Sequence, residues 1–286
     1  MGYLNKIIFF LILSFLIGPP FSITSLAYNS ESLTNASDVE TQNQNRVLIS
    51  VETLLTLIKE DPEIILIDVR SIDEFNRLKI PRSINIPQYA IKTRSFLKSK
   101  SIVLINKGIN MRDLEQTCLN LREMGFKSYA LFGGLNAWRC KTGSIEGDSI
   151  QLNNINMISP KELLRESASD ELIVLDVSQT KTGKHDDLIP GIISVPFDNE
   201  KRFFIRFHDL LKKNQSRKYL TIVLLNEKGE DYESIEKVVK RAGSENTFFL
   251  KGGIESYKEF LNQQAMLKNR EKISSEKQDS CRTCSE

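Results

Sequence analysis

Residues 64–69 read Ile64-Ile65-Leu66-Ile67-Asp68-Val69, and residues 172–177 read Leu172-Ile173-Val174-Leu175-Asp176-Val177. Each is a short run of apolar, largely branched residues broken only by one acid near its end. A continuous apolar run fits a strand covered on both faces, the setting of a parallel sheet flanked by helices. The likeness of the two runs also says that the chain repeats itself.

The repeat continues downstream of both strands. Ile80-Pro81, followed by Ile86-Pro87, pairs with Ile189-Pro190 and Val195-Pro196. Ile102-Val103-Leu104-Ile105-Asn106 pairs with Ile222-Val223-Leu224-Leu225-Asn226, and Leu131-Phe132-Gly133-Gly134 with Leu250-Lys251-Gly252-Gly253. An aromatic, Trp138 or Tyr257, follows each Gly pair at the same distance. The order is kept while the separation grows from 108 residues (Ile64 to Leu172) to 120 (Ile102 to Ile222), which places insertions in the middle of the second copy. Matches in one order argue for duplication of a domain of about 100 residues.

Helical spacing lies between the strands. Val51–Lys59 and Asp113–Met124 carry apolar residues at helical intervals, the latter stopping at Gly125. In the second copy Ser159-Pro160 opens a helix with Pro in its first turn, and Tyr232–Arg241 precedes Gly243. Strands alternating with helices predict an α/β architecture with a largely parallel sheet.

Bulk properties agree with two folded domains. The chain has 286 residues, 40% hydrophobic and 27% charged, with a formal charge of +2. This balance excludes a disordered chain and gives no nucleic-acid footprint. At the N-terminus Lys6 precedes the apolar run Ile7–Ile17, then Gly18-Pro19-Pro20, then Ser25-Leu26-Ala27. That is the layout of a secretory signal peptide over residues 1–27. The run falls short of the roughly 20 apolar residues that span a bilayer. The expectation is an exported protein, periplasmic or extracellular, free of the membrane after cleavage; an uncleaved N-terminal anchor is the alternative. Residues 28–46 read as a polar leader linker. The domains then fall at 47–142 and 157–264, with a linker at 143–156 and a charged tail at 265–286.

The cysteines are Cys118, Cys140, Cys281 and Cys284. Export permits disulfides, and four cysteines allow three pairings among which sequence does not choose. Cys118 falls inside a predicted helix and reads as buried. Cys281-Arg282-Thr283-Cys284 has a redox and metal spacing, yet a zinc site needs about four ligands and His185 and His208 are the only histidines. No metal and no cofactor is expected. Two sequons, at Asn35 and Asn214, matter only if the source glycosylates exported proteins.

Asp68-Val69-Arg70 with Glu74-Phe75, then Ile80-Pro81-Arg82-Ser83-Ile84-Asn85-Ile86-Pro87, resembles the first signature of the rhodanese superfamily. Gly133-Gly134-Leu135-Asn136-Ala137-Trp138 resembles its closing one, and Asp176-Val177, Pro190-Gly191 and Gly252-Gly253 preserve a looser version in the second copy. The resemblance implies two tandem rhodanese-like domains, each a largely parallel five-stranded sheet with helices on both faces. Its default activity is sulfur transfer.

The resemblance also implies where the nucleophilic Cys would stand: at the end of a strand, ahead of a loop whose amides and following helix N-terminus hold a sulfur anion. Here those strands end in Asn106 and Asn226. A carboxamide is no nucleophile, so no catalytic residue is expected at either position. Asn at a strand-to-loop junction also has a structural reading, hydrogen bonding to its own loop backbone. The first loop, Asn106-Lys107-Gly108-Ile109-Asn110-Met111-Arg112, is basic and remains a candidate anion-binding loop. The second, Asn226-Glu227-Lys228-Gly229-Glu230-Asp231, is acidic and of the wrong sign for an anion. Asp68 and Asp176 read as structural, and Trp138 as a core anchor.

Three readings follow. The first is a non-catalytic module that binds a protein partner or a small sulfur-containing anion. The second is a sulfurtransferase, thiol-redox or sulfur-carrier protein that works through Cys281 and Cys284. The third, an active rhodanese, requires a different alignment of both strands.

Overall fold

In the first copy the strands are β1 (Leu48–Ile49), β2 (Ile65–Asp68), β4 (Ile84–Asn85), β5 (Ser101–Ile105) and β6 (Lys127–Leu131), all parallel in the order β1-β6-β5-β2-β4. This computed structural model describes residues 46–148, 152, 154–179 and 187–282, with 271–282 described by backbone alone. In the second copy β8 (Met157–Ile158), β9 (Leu172–Asp176), β10 (Ile193–Ser194), β11 (Thr221–Leu225) and β12 (Thr247–Leu250) are likewise parallel, in the order β8-β12-β11-β9-β10. The two orders are the same when read copy for copy, so the duplication seen in the residues is a duplication of topology. The described residues belong to one compact unit.

Alternation within each strand sends neighbours to opposite faces. Val103 and Ile105 join one core layer with Leu54 of α1 (Val51–Glu60) and Leu135 and Trp138 of α4 (Gly134–Thr142). Ile102 and Leu104 join the other, with Met111, Leu114 and Cys118 of α3 (Met111–Glu123). Each fully buried Ile or Leu contributes about 1.5–3 kcal/mol, so the continuous apolar strands are the main source of stability. A short α2 (Ile72–Arg77) opens with a Ser71–Glu74 capping box. Trp138 is a core anchor, 6% exposed, with its indole N–H donated to the Ser144 carbonyl at 2.7 Å.

The second copy follows the same plan. Val223, Leu225, Phe248 and Leu250 pack with Leu163 of α5 (Pro160–Glu166) and Tyr257 of α8 (Gly253–Arg282). Ile222, Leu224 and Phe249 pack with Phe203 and Phe207 of α6 (Glu200–Lys213) and Ile235 and Val238 of α7 (Tyr232–Arg241). The extra length in the middle of this copy includes α6, a full helix between β10 and β11. In the first copy that interval holds two 3-10 turns, Gln88–Thr93 and Ser95–Ser99.

Two segments differ from the sequence expectation. Of residues 143–156, expected as a linker, several described ones are held to the first domain. Leu78–Lys79 (β3) pairs antiparallel with Glu146–Gly147 (β7), and Ile155 is buried in the core around Trp138. Residues 265–282, expected as a tail, continue α8. The chain has no Gly or Pro after Gly253, and its Lys, Glu, Gln, Arg, Ala and Leu are strong helix formers. Met266 and Leu267 are exposed, so this part of the helix extends beyond the core. No helix among the described residues is long and apolar enough to cross a membrane. The expected signal peptide, most of the leader linker, His185 and Cys284 lie outside the described residues.

Candidate functional site

Each central strand ends in Asn and then a loop. Asn106 follows β5, and its carboxamide is held at both ends. Its Oδ1 accepts from the Gly108 amide at 2.8 Å, and its Nδ2 donates to the Ile109 carbonyl at 2.6 Å. Asn226 follows β11 and does the same: its Oδ1 accepts from Gly229 at 2.6 Å, and its Nδ2 donates to the Glu230 carbonyl at 2.7 Å. Both side chains therefore brace their own loops, the local bonding that Asn commonly provides.

The Gly pairs complete the brace from the other side. The Asn106 carbonyl accepts from the Leu135 amide at 2.8 Å, and the Asn226 carbonyl from the Ile254 amide at 2.9 Å. Gly134 sits so close that an added Cβ would lie 2.3 Å from the Asn106 carbonyl oxygen; at Gly253 it would lie 2.4 Å from that of Asn226. Both glycines also have positive φ, so no other residue fits either position without moving the loop.

Each loop then feeds a helix. Asn110 and Asp231 precede α3 and α7 in the left-handed conformation, and neither side chain caps its helix. Asn and Asp tolerate that region better than most residues. Asn110 comes four residues after Asn106, and Asp231 five after Asn226, so the first loop is one residue shorter. Gly108 accordingly stands two residues after Asn106, where Gly229 stands three after Asn226. Uncapped first-turn amides at a helix N-terminus favour an anion.

The cleft over the first loop has a volume of about 340 Å³ and is lined by Asn106, Lys107, Ile109, Asn110, Arg70, Glu162 and others. Met111 and Arg112 line a neighbouring groove of similar size with Glu171 and Tyr219. Gly108 faces Gly133 and Asn246 instead. Six of the seven loop residues expected as one anion site are thus divided between two recesses, and Gly108 lines neither. The second cleft, about 280 Å³, is lined by Ser178, Gln179, Asn226, Glu227, Lys228, Glu230 and Asp231.

The charges of the first loop are engaged by the second domain. Lys107 Nζ lies 3.0 Å from Glu162 Oε1, and an Arg112 guanidinium nitrogen lies 3.0 Å from Glu171 Oε1. Burial pushes the Glu162 carboxyl up, but Lys107 and hydrogen bonds from Ser159 outweigh it and hold it below its ordinary value. Arg70 is buried and held by Asp68, with one guanidinium nitrogen 2.6 Å from Asp68 Oδ2 and Nε 2.9 Å from Oδ1. Asp68 also accepts the Arg70 amide, and Asp176 the Ser178 amide. The basic loop expected from sequence is therefore a set of paired cations.

Apolar contact ties the domains further. Ile109, at the tip of the first loop, is 5% exposed and belongs to the second domain's core with Leu163, Val223 and Phe248. Tyr219 of the second domain packs against the first domain's core and gives its hydroxyl to Glu115 of α3; Lys218 Nζ lies 2.8 Å from the same carboxylate. Asn136 donates to the Thr247 carbonyl at 3.1 Å, and Lys141 pairs with Glu245 at 2.7 Å.

Neither described free thiol with resolved surroundings lines a cleft over either loop. Cys118 is fully buried in α3, and burial pushes its thiol up to about 12. Cys140, on α4, is half-buried and also raised by burial. The backbone of Cys281 lies in the last turn of α8.

Sequence reasoning missed Glu162, Glu171 and Glu115 as partners of the first domain. Ser159-Pro160-Lys161-Glu162 has the form of a capping box, which predicts the helix start observed here. Nothing in that pattern points to Lys107.

A parallel five-stranded sheet, a central strand ending in a braced loop, and a helix entered from that loop occur twice here. They define a tandem α/β repeat protein with a cleft over the loop of each repeat. The sequence model of the rhodanese-like domain matches residues 50–141 and again 159–260, and the chain belongs to that family. It is 35% identical over 96 residues to a Bacillus subtilis (strain 168) protein named "Putative sulfurtransferase YtwF", covering 33% of this chain and 91% of that one. Among solved structures, a thiosulfate sulfurtransferase from Pseudomonas aeruginosa aligns at 19% identity and a TM-score of 0.30, covering 74% of this chain and 42% of that one. The 3-mercaptopyruvate sulfotransferase SseA from Escherichia coli aligns at 16% identity and a TM-score of 0.29, covering 73% and 98%.

Proposed function

We propose that this is an exported, non-catalytic rhodanese-like protein that binds a protein partner or a small sulfur-containing anion. The observation that carries this reading is the double hydrogen bonding of Asn106 and Asn226 inside their own loops. Carboxamides stand where the family resemblance calls for a thiol, and they take up a loop amide that would otherwise face a ligand. A carboxamide cannot carry a persulfide. Export rests on the N-terminal sequence pattern. The uncapped N-termini of α3 and α7 leave an anion some attraction to either cleft, stronger at the first, where Arg70, Lys107 and Arg165 offset the lining carboxylates and the second has Lys228 alone.

The competing reading gives the chemistry to Cys281 and Cys284. For Cys281 the last turn of α8 is a poor place for it, because the negative end of the helix macrodipole disfavours a thiolate. A thiosulfate–cyanide assay on the chain without residues 1–27 tests both readings. The expected result is no thiocyanate above background. Turnover that persists after deletion of residues 278–286 rejects the non-catalytic reading, and turnover abolished by that deletion favours the terminal cysteines.

A further inference from the structure

The two 3-10 turns of the first domain form a surface that, apart from Gln88, lines neither cleft. Ile91 and Leu97 point inward and are fully buried. Tyr89 and Phe96 point outward, 78% and 60% exposed, and Met124 at the end of α3 is 48% exposed. Tyr89, Lys92, Thr117, Leu121 and Met124 line a groove of about 400 Å³ between the first turn and α3. Its walls are mainly apolar, and Gln88, donating to Asp113 and Thr117, closes one end.

The charge of the two turns has one sign. Residues 88–100 hold Lys92, Arg94, Lys98 and Lys100 and no Asp or Glu. Lys100 pairs with Glu63, whereas Lys92, Arg94 and Lys98 have no acidic partner among the described residues. On the adjoining helix Asp113 is held by Gln88, and Glu123 is the acid nearest Met124 in sequence. The fold does not require this pattern. The second copy fills the same interval with α6, a helix that carries Glu200 and Asp209 among its basic residues and pairs Arg202 with Asp198 and Glu200 with Arg241.

We propose that this groove docks an acidic peptide segment of a partner protein. One large apolar side chain of the peptide enters between Tyr89 and Met124, and flanking carboxylates meet Lys92, Arg94 and Lys98. An exposed apolar recess bordered by charge marks an interaction site, and the border's sign selects the partner. A second copy of this chain is disfavoured because it would bring like charges together. A concave recess suits an inserted side chain better than a bilayer surface. The groove lies outside both Asn-containing loops, so this inference stands whether or not those loops turn over substrate.

The test uses the full chain and a fluorescein-labelled peptide, Glu-Glu-Phe-Glu-Glu, followed by anisotropy and by amide chemical-shift mapping. Saturable binding is expected in the range of about 0.1–1 mM, as for a small, transient contact. Shifts should cluster at residues 88–99 and 117–124. Lys92→Glu with Lys98→Glu, and separately Met124→Asp, should each weaken binding about fivefold or more. All three positions are exposed, and a thermal melt checks that the variants fold. No saturable binding, shifts elsewhere, or unchanged affinity in both variants overturns the proposal. So does binding to vesicles rich in anionic lipid in place of the peptide.

Discussion

Lys107 of the first domain's loop and Glu162 of the second domain's α5 form an ion pair at 3.0 Å, and Glu162 also caps its own helix through Ser159. One carboxylate thus fixes a helix start and the position of a loop in the neighbouring domain. This pair and the apolar contact beside it bear on stability, pH response and chemistry.

Removing Ile109 should uncouple the domains. Ile109→Ala deletes a buried side chain from the second domain's core, which costs about 2–5 kcal/mol. Calorimetry should show the main transition lowered and broadened toward two. An unchanged single transition would mean that the loop tip contributes nothing to coupling.

Glu162 predicts a pH dependence with a definite sign. Its carboxyl titrates below the ordinary carboxylate value in the folded protein, so its pairing stabilises fully above the unfolded value of about 4.3. That contribution fades as pH falls through the folded value. Urea titrations of the wild type and Glu162→Gln should therefore differ at pH 7 and converge in strong acid. A gap that widens on acidification would contradict the assignment.

Thiol reactivity should separate Cys118 from Cys140. In a chain carrying Cys281→Ser and Cys284→Ser, Ellman's reagent at pH 8 should modify Cys140 slowly and Cys118 only on unfolding. Cys118 is fully buried and its thiol is pushed up to about 12. Rapid modification of both would require an opening of α3.

Placing sulfur in the loops tests the electrostatic difference between them. Asn106→Cys should be alkylated faster at pH 7 than Asn226→Cys, because Arg70, Lys107 and Arg165 offset the carboxylates of the first cleft, whereas Glu227, Glu230 and Asp231 face Lys228 alone at the second. Either change also removes two hydrogen bonds, each contributing about 0.5–1.5 kcal/mol, so both variants should melt earlier. Equal alkylation rates would remove the argument from charge.

Much of the fold was readable from residues because buried parallel strands cannot afford polar interruptions. Ile64–Val69 contains strand β2, and Ile102–Ile105 makes up β5 but for its first residue, for that reason. The edge strands β1 and β4 were not readable: Leu48–Ile49 and Ile84–Asn85 are too short to show a period. The bracing role of Asn106 and Asn226 follows from local chemistry and was among the readings made from sequence. The pairing of Lys107 with Glu162 and of Arg112 with Glu171 spans more than fifty residues, and no local pattern encodes it. For the same reason Ile109 read as part of an anion loop, although its partners are the core of the other domain.

The mutual insertion of Ile109 and Tyr219 has a consequence for the history of the chain. Two modules that arose as copies, each able in principle to stand alone, now shelter one another's greasy residues. Cutting between them would leave two sticky halves, so the duplication has become a one-way step.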